Sequence, residues 1–228
     1  MEIIPKESLV RKILAYAETA EIPLSKEQAC LINDHVCLML QWNQRLNLTR
    51  ITQPDEVLVK HVLDSLLPSR WLPREGWAVD VGTGPGFPGI PLKIIKPGLR
   101  MLLLEAQRKK VSFLKVVLAR LALKEIQAVQ SRWEDFAGRH STQEGEAFSL
   151  ITVRALRLEG RDILGLGKLL SPGGILAWWA GPGVQAETLE RLTSRRPGGE
   201  QIVLNTADSY TLPGTFQPRQ FFTWRRDA

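Results

Sequence analysis

Four glycines lie close together within residues 79–91, at a spacing that can hold a nucleotide-type ligand: Gly82, Gly84, Gly86 and Gly89. Glycine allows backbone angles that a side chain forbids, so such a segment can bring bare backbone against a ligand. The last three glycines form a G-x-G-x-x-G pattern, which is typical of dinucleotide binding and is weak evidence by itself. We call residues 79–91 the glycine loop.

An acidic residue follows the glycine loop at the distance where nucleotide-binding folds hold a ribose. The apolar run at residues 101–104 ends at Glu105, roughly twenty residues after the glycines, and a carboxylate there can accept both ribose hydroxyls. Nicotinamide dinucleotides and S-adenosylmethionine share this arrangement. Alternatively, Glu105 could cap a helix or pair with Lys109.

The residues among the glycines favour S-adenosylmethionine over a dinucleotide. Pro85, Pro88 and Pro91 remove amide donors that a pyrophosphate would need at the start of a helix. Asp80 precedes the first glycine, where a carboxylate would repel a pyrophosphate but would suit the cationic amino acid end of S-adenosylmethionine. The glycine loop therefore predicts a methyl-donor site that includes Asp80, Gly82, Gly84 and Gly86.

Two later strand ends carry further candidate residues. After the predicted strand at residues 126–130, Trp133 could cover an adenine and Glu134 could hydrogen-bond it, although a Trp packed on the sheet edge is the alternative. After the strand at residues 148–153, Arg154 offers a fork of donors for a base oxygen or a phosphate, or for a surface ion pair. The Asn or Asp followed by Pro-Pro of adenine amino methylases is missing here.

The elements that would position these residues follow from the apolar periodicity. Helical patterns cover residues 8–16, 25–42 and 51–67, with Ser25 as an N-cap. From residue 77, strands and helices alternate, which predicts a doubly wound parallel sheet with antiparallel strands at its end. The expected later elements are a helix at 109–123, a polar loop at 144–146, a helix at 159–170, a turn at 171–174, a strand at 175–179, a helix at 185–195 and closing strands at 201–204 and 220–224.

The composition limits the classes of function. The 228 residues carry a formal net charge of +6, which favours a polyanionic partner such as nucleic acid. Cys30 and Cys37 are seven residues apart on a helix, about 10 Å, which is beyond disulfide reach. The three histidines are too scattered for a metal site, and the sequence shows no signal peptide or apolar run of about twenty residues. We expect a cytoplasmic protein without a metal or a membrane partner.

Ordered motifs along the chain resemble those of the ribosomal RNA small subunit methyltransferase G family, also called RsmG or GidB. They are Trp42-Asn43, Asn47-Leu48-Thr49, His61-Val62-Leu63-Asp64-Ser65, the glycine loop, Lys109-Lys110 before Phe113-Leu114, and Arg154-Ala155. The resemblance covers roughly residues 24–172. Leu156-Arg157 departs from it, because small residues are usual at these two positions.

The resemblance implies a class I S-adenosylmethionine-dependent methyltransferase with a Rossmann-like α/β sheet, helices on both faces and an N-terminal helical extension. It implies methyl transfer to N7 of one guanine in 16S rRNA, with free rRNA or the small ribosomal subunit as partner. It places donor-binding residues at Gly82, Phe87, Trp133, Glu134 and Arg154. We expect an extension at residues 1–72, a methyltransferase domain at residues 73–228 and a monomer.

The roles of several residues stay open at this point. We expect Glu105 to bind the donor and Arg154 to act as the catalytic residue that orients the acceptor or a neighbouring phosphate. The N-terminal motif residues could contact RNA, cover the donor pocket or tie the helices to the glycine loop: Asn43, Asn47, His61, Asp64 and Ser65. Arg108, Lys109 and Lys110 could meet phosphates or form a solvated face. The alternative functions are methylation of another RNA or a small molecule, a nicotinamide oxidoreductase and a non-enzymatic RNA-binding module.

Overall fold

A computed structural model describes residues 6–139, 147–181, 184, 202–216 and 218–227. Its strands are β1 (Glu75–Val81), β2 (Gly98–Glu105), β3 (Ile126–Gln130), β4 (Phe148–Arg154), β5 (Leu170–Ala180), β6 (Ile202–Tyr210) and β7 (Arg219–Arg226). Its helices are α1 (Lys6–Thr19), α2 (Lys26–Leu46), α3 (Pro54–Val57), α4 (Asp64–Leu66), α5 (Gly89–Ile95), α6 (Arg108–Arg120), α7 (Trp133–Arg139) and α8 (Gly160–Gly167).

The strands form one sheet in the order β3-β2-β1-β4-β5-β7-β6. The first five are parallel, and β7 runs antiparallel to both β5 and β6. β1 lies between β2 and β4, and the interior of this sheet is apolar on both faces, as parallel strands covered by helices require. The predicted doubly wound sheet with antiparallel strands at its end is confirmed.

Helices cover both faces of the sheet. One apolar cluster joins α1, α2, α5 and α6 to the sheet, and a second cluster on the other face contains α7 and α8. Because the first cluster is continuous from α1 to the strands, the N-terminal helices share the core of the sheet domain. The division after residue 72 stays a prediction.

The third helical pattern differs from the expected single helix at residues 51–67. After α3 the chain forms a π-helix at Leu58–Leu63, then α4, then a 3₁₀ helix at Leu67–Trp71. π-helical turns are rare and often lie at functional sites. Here the turn carries His61 and directly precedes Asp64. By contrast, Ser25 caps α2 as expected, in a capping box with Gln28.

The sequence misplaced the start of β5. The predicted turn at residues 171–174 lies inside the strand, which begins at Leu170, and the predicted helix before it ends at Gly167. The pairing with β4 shifts between Phe148 and Leu150, and Gly173 has a φ of 75°. The Pro-Gly-Gly signal thus marks an irregularity in the strand. β6 and β7 form the expected closing pair, whereas the polar loop at 144–146 and the helix at 185–195 lie outside the described residues.

Within the described residues, no helix is long and apolar enough to cross a membrane. Cys30 and Cys37 are not joined by a disulfide.

Candidate functional site

A cavity of about 770 Å³ opens at the carboxyl ends of β1 to β4. It lies at this edge because parallel strands end together, and in open α/β sheets ligands bind at that edge. Seven of the predicted site residues line it: Gly82, Gly84, Phe87, Glu105, Trp133, Glu134 and Arg154. Asp80 and Gly86 are not part of the lining. The sequence therefore located the edge of the sheet at which this cavity opens. The structure separates the residues that line the cavity from those that lie beneath its wall.

Backbone hydrogen bonds from Thr83 fix the shape of the glycine loop. Its amide donates to the carbonyl of Leu104 (3.0 Å), and its carbonyl accepts from the amides of Gly86 (2.9 Å) and Phe87 (3.1 Å). Gly82 and Gly84 have φ angles of 67° and 59°, which favour glycine. The loop therefore presents backbone to the cavity in a conformation that most side chains would strain.

The side chain of Asp80 points beneath the turn formed by the glycines. The expected place for this carboxylate was at the amino acid end of the donor. Asp80 is fully buried; its Oδ2 accepts from the amide of Gly89 (2.9 Å), and its Oδ1 accepts from the hydroxyl of Thr152 (2.8 Å). Burial raises the pKa of Asp80 to about 6, although these hydrogen bonds act in the opposite direction. Asp80 thus ties the start of α5 to β4 and positions the loop from below.

Gly86 is also turned away from the cavity. A Cβ on Gly86 would lie 2.4 Å from Cδ1 of Ile90 and 3.2 Å from Nε2 of His35, so this glycine allows the loop to pack closely against α5 and α2. Its φ of 99° adds a second requirement for glycine. Gly86 thus has a packing role, and its expected contact with the donor stays a prediction.

Glu105 connects the end of β2 to the glycine loop. Its Oε2 accepts from the amide of Gly84 (3.1 Å), and its Oε1 accepts from the amide of Gln107 (2.8 Å). A carboxylate offers about four acceptor positions, so two remain for hydroxyl groups in the cavity. The partner of Glu105 is Lys110, with Nζ 4.0 Å from Oε2, rather than the Lys109 considered from sequence. Lys110 therefore shares its charge with the site and is not a free phosphate-binding group.

Trp133 and Glu134 begin α7 on the β3 side of the cavity. The Trp133 ring packs on α8, since a Cβ at Gly165 would lie 3.5 Å from its outer edge. The ring is half-buried and still lines the cavity, so packing and ligand contact are compatible in this side chain. Glu134 is exposed beside it.

Phe87 is the residue of the glycine loop that packs against the N-terminal helices. Its ring stacks with those of His35 (centroids 4.6 Å apart) and His61 (5.0 Å), and the peptide to Pro88 is cis. Burial lowers the pKa of His35 to about 4, and burial together with the positive charge of Arg154 lowers the pKa of His61 to about 3. Both imidazoles are therefore neutral at pH 7. The Phe87 ring between them is only 2% exposed.

The tautomers of both imidazoles follow from their partners. Nε2 of His35 lies 2.7 Å from the carbonyl of Pro85, which can only accept, so His35 donates from Nε2. Nδ1 of His61 lies 3.1 Å from a guanidinium nitrogen of Arg154, which can only donate. His61 therefore carries its proton on Nε2, 3.0 Å from the hydroxyl of Thr49.

Arg154 is committed to the protein. Its Nη1 donates to Oδ2 of Asp64 (3.2 Å) and to the carbonyls of Lys60 and His61 (both 3.4 Å), and its Nη2 donates to His61. The side chain is 11% exposed, and its guanidinium carbon lies 5.5 Å from the centre of the Phe87 ring. Arg154 lines the cavity, but its donors bond to the π-helix and to Asp64, and its guanidinium lies beside the Phe87 ring. The expected orientation of an acceptor by this fork is not what the geometry favours.

Asp64 is the centre of this polar network. Besides Arg154, it accepts from the hydroxyl of Tyr210 on Oδ1 (2.8 Å), and Arg219 lies 3.8 Å from the same oxygen. Its backbone carbonyl accepts from the indole of Trp179 (2.7 Å). Burial raises the pKa of Tyr210 above its usual range, so this hydroxyl keeps its proton and donates. The network joins the closing strands to the site.

The remaining N-terminal motif residues have structural partners. The side-chain oxygen of Asn43 accepts from the amide of Thr49 (2.8 Å), Asn47 ends α2 with a φ of 49°, and Ser65 donates to the carbonyl of His61 (2.6 Å). These three contacts hold the N-terminal segment itself together, and the motif residue that reaches the glycine loop is His61, through the ring of Phe87. In the described part of the chain, neither Asp64 nor Ser65 accepts a hydrogen bond from an amide of the glycine loop.

Sequence reasoning missed His35, Tyr210 and Arg219. His35 carried a usable signal, since it lies on the apolar face of α2 between Ile32 and Val36. Tyr210 and Arg219 carried none, because they lie in a polar segment and meet Asp64 only when β6 and β7 pair.

Comparisons of the whole chain agree with this geometry. Residues 28–195 match the model of the family described as GidB, rRNA small subunit methyltransferase G. The chain is 47% identical to ribosomal RNA small subunit methyltransferase G 1 of Syntrophobacter fumaroxidans over 91% of this chain and 92% of the relative. It is 40% identical to ribosomal RNA small subunit methyltransferase G of Moorella thermoacetica, over 78% of this chain and 74% of that relative.

Solved structures confirm the predicted fold class. P. horikoshii TYW2 in complex with MeSAdo has a TM-score of 0.54 at 13% identity, covering 73% of this chain and 62% of that one. The C-terminal domain of precorrin-6Y C5,15-methyltransferase from Rhodobacter capsulatus has a TM-score of 0.51 at 16% identity, covering 78% and 91%. The fold is thus shared with these two solved structures, and the chain belongs to the rRNA small subunit methyltransferase G family.

Proposed function

We propose that this protein transfers a methyl group from S-adenosylmethionine to N7 of a guanine in the 16S rRNA of the small ribosomal subunit. The observation that supports this most directly is the cavity where the glycine loop, Glu105 and Trp133 meet the end of β4, in a chain of the methyltransferase G family. The proposed partner is the rRNA, free or within the small subunit. We propose a cytoplasmic monomer.

The cavity residues fit S-adenosylmethionine along its length. The two free acceptor positions of Glu105 suit the ribose hydroxyls, and Trp133 and Glu134 suit the adenine. The exposed backbone at Gly82 and Gly84 suits the amino acid end. Asp80 and Gly86 contribute by holding the loop in the required shape.

We propose a positioning role for Arg154. Its guanidinium fixes the π-helix through Asp64 and His61, and it lies beside the ring of Phe87. The wall of the cavity next to the glycine loop is thereby rigid. A fixed wall favours catalysis because aligning the reacting groups in advance can contribute about 7 to 11 kcal/mol to lowering a barrier of this kind.

The proposed reaction requires little acid–base chemistry from the protein. S-adenosylmethionine supplies a methyl group on a cationic sulfur, and guanine N7 has an in-plane lone pair without a proton. No residue must therefore remove a proton before transfer. The neutral state of His35 and His61, and their commitment to Pro85, Thr49 and Arg154, agree with such a site.

Radiolabelled S-adenosylmethionine and 16S rRNA from cells that lack this activity provide the test. We expect label in the rRNA and, after borohydride and aniline treatment, cleavage at one guanine, because these reagents cut at N7-methylguanine. Label in the RNA without cleavage would refute N7 as the target. Label in small molecules only would favour the small-molecule alternative.

A further inference from the structure

The segment after Arg154 forms a fixed turn at the cavity. Ala155 has a φ of 59°, which costs a residue other than glycine about 1 to 2 kcal/mol. The turn is held on one side by the hydrogen bonds of Arg154. On the other side, the indole of Trp178 donates to the carbonyl of Leu156 (3.0 Å), and Leu158 is buried. Arg157 therefore stands between two anchored residues.

Arg157 differs from Arg154, whose guanidinium is bonded to Asp64 and to the π-helix. It is exposed and lines the cavity, and it makes no hydrogen bond or ion pair with any residue in the described part of the chain. The other cations around the cavity differ from it. Arg161 pairs with Glu159 (3.2 Å) and Lys110 with Glu105. Arg132, also exposed, follows β3 beside Trp133, on the side assigned to the adenine.

Leu156 provides an apolar surface next to Arg157. It is 38% exposed, and a Cβ on Gly82 would lie 2.8 Å from its Cδ1, so its side chain rests directly on the glycine loop. A flat base could pack on it close to the proposed donor. A backbone phosphate next to that base would then come within reach of Arg157.

We propose that Arg157 binds a backbone phosphate of the RNA strand next to the methylated guanine, an inference that rests on the function proposed above. A guanidinium forms two parallel hydrogen bonds with a phosphate. Its other common nucleic-acid contact spans guanine O6 and N7 and would cover the atom that must be methylated. The phosphate is therefore the acceptor that the reaction leaves available. Arg157 holds the strand, and Leu156 supports the base.

The test measures binding of end-labelled 16S rRNA to the full-length protein at several salt concentrations. We expect Arg157→Ala to weaken RNA binding about tenfold and to reduce the slope of log K against log salt by about 0.7 to 0.9, the value for one phosphate contact. Affinity for S-adenosylmethionine, measured by calorimetry, should stay unchanged. Arg157→Lys should restore the slope but only part of the affinity, because an ammonium group is a single point charge.

Arg100→Ala provides the matched control. Arg100 is exposed, lies at the amino ends of the strands, opposite the cavity, and pairs with Glu125 (3.5 Å). We expect it to leave RNA affinity and slope within twofold of wild type. If Arg157→Ala left the slope of log K against log salt unchanged, the proposal would be overturned. It would also be overturned if Arg100→Ala lowered this slope by the same amount as Arg157→Ala. Because binding is measured without methyl transfer, a failure of the proposed reaction would appear separately, in the wild-type protein.

Discussion

Replacing Asp64 by Asn tests whether the buried network holds the two ends of the chain together. Asp64 is 4% exposed, and its two oxygens accept from Tyr210 and Arg154. An amide offers one oxygen and one NH₂ group, so at least one of these donors would face another donor. Arg154, itself 11% exposed, would also lose its partner carboxylate.

The expected size of the effect follows from this burial. Removing one partner of a buried, hydrogen-bonded ion pair costs about 3 to 5 kcal/mol, because the remaining charge stays uncompensated. With a urea slope of about 2 to 3 kcal/mol per molar, the unfolding midpoint should fall by roughly 1 to 2.5 M. Tyr210→Phe removes one hydrogen bond to the carboxylate, and its expected cost is about 1.5 to 3 kcal/mol.

Urea unfolding followed by tryptophan fluorescence measures these differences. The control is Asp55→Asn, which removes an ion pair with Lys12 of 2.7 Å whose side chains are 61% and 43% exposed. Such a surface pair contributes about 0 to 1 kcal/mol. If Asp64→Asn destabilised the protein no more than Asp55→Asn, or if the effects of Asp64→Asn and Tyr210→Phe were strictly additive, the network would not be the structural link described here.

Three further predictions concern the glycine loop and its supports. The pKa values of His35 and His61 are about 4 and about 3, below the value of about 6.5 in an unfolded chain. As the pH falls, the unfolded state therefore binds more protons than the folded state, and stability decreases below about pH 6.5. Asp80, with a pKa of about 6, acts in the opposite direction, because its carboxyl takes up a proton more readily in the folded state. Near pH 5 the unfolded state therefore binds about one proton more than the folded state, and the free energy of unfolding from urea titrations should fall by about 1.4 kcal/mol for each pH unit lowered. Gly89→Ala should cost about 1 to 3 kcal/mol in the same assay, because its Cβ would lie 2.8 Å from Oδ2 of Asp80. Glu105→Gln should weaken S-adenosylmethionine binding by about tenfold to a hundredfold in calorimetry, since a charged acceptor is lost.

Each of these predictions has a result that contradicts it. Stability that does not change between about pH 6.5 and about pH 4.5 would mean that the histidines are not buried as neutral groups. Gly84→Ala is the comparison for Gly89→Ala, because its Cβ would meet no atom closer than 4.0 Å and only its left-handed φ carries a cost. Equal losses at the two positions would argue against the close packing at Gly89. For Glu105→Gln, the control is Glu125→Gln, whose side chain is 56% exposed, and equal losses of affinity would remove Glu105 from the donor site.

Local sequence signals were sufficient where a residue's role depends on its own strand. The apolar runs of β1, β2 and β4, each followed by glycine or a polar residue, located the carboxyl edge of the sheet and the cavity that opens there. Parallel strands end together, so residues after separate strands meet without further information. Glu105 at the end of β2 and Trp133 after β3 were predicted in this way, and both line the cavity.

The same reasoning misjudged residues whose role depends on which way a side chain points. Asp80 and Arg154 both adjoin the cavity along the chain, yet Asp80 points beneath the loop, and Arg154 donates to the π-helix. A strand sends alternate side chains to opposite faces, and its last residue can turn toward either the ligand or the core. The contacts of distant elements decide this direction.

The sequence by itself determined the fold class, the edge of the sheet at which the cavity opens and the family, because these depend on hydrophobic periodicity and on residues close together in the chain. Only the tertiary structure decided the partners of Asp64, which come from residues 154, 210 and 219. It also showed that Arg154 bonds to Asp64 and to the π-helix, whereas Arg157 has no partner among the residues that the structure describes. Contacts between segments so far apart depend on sheet order and packing, and no local pattern of residue types records them.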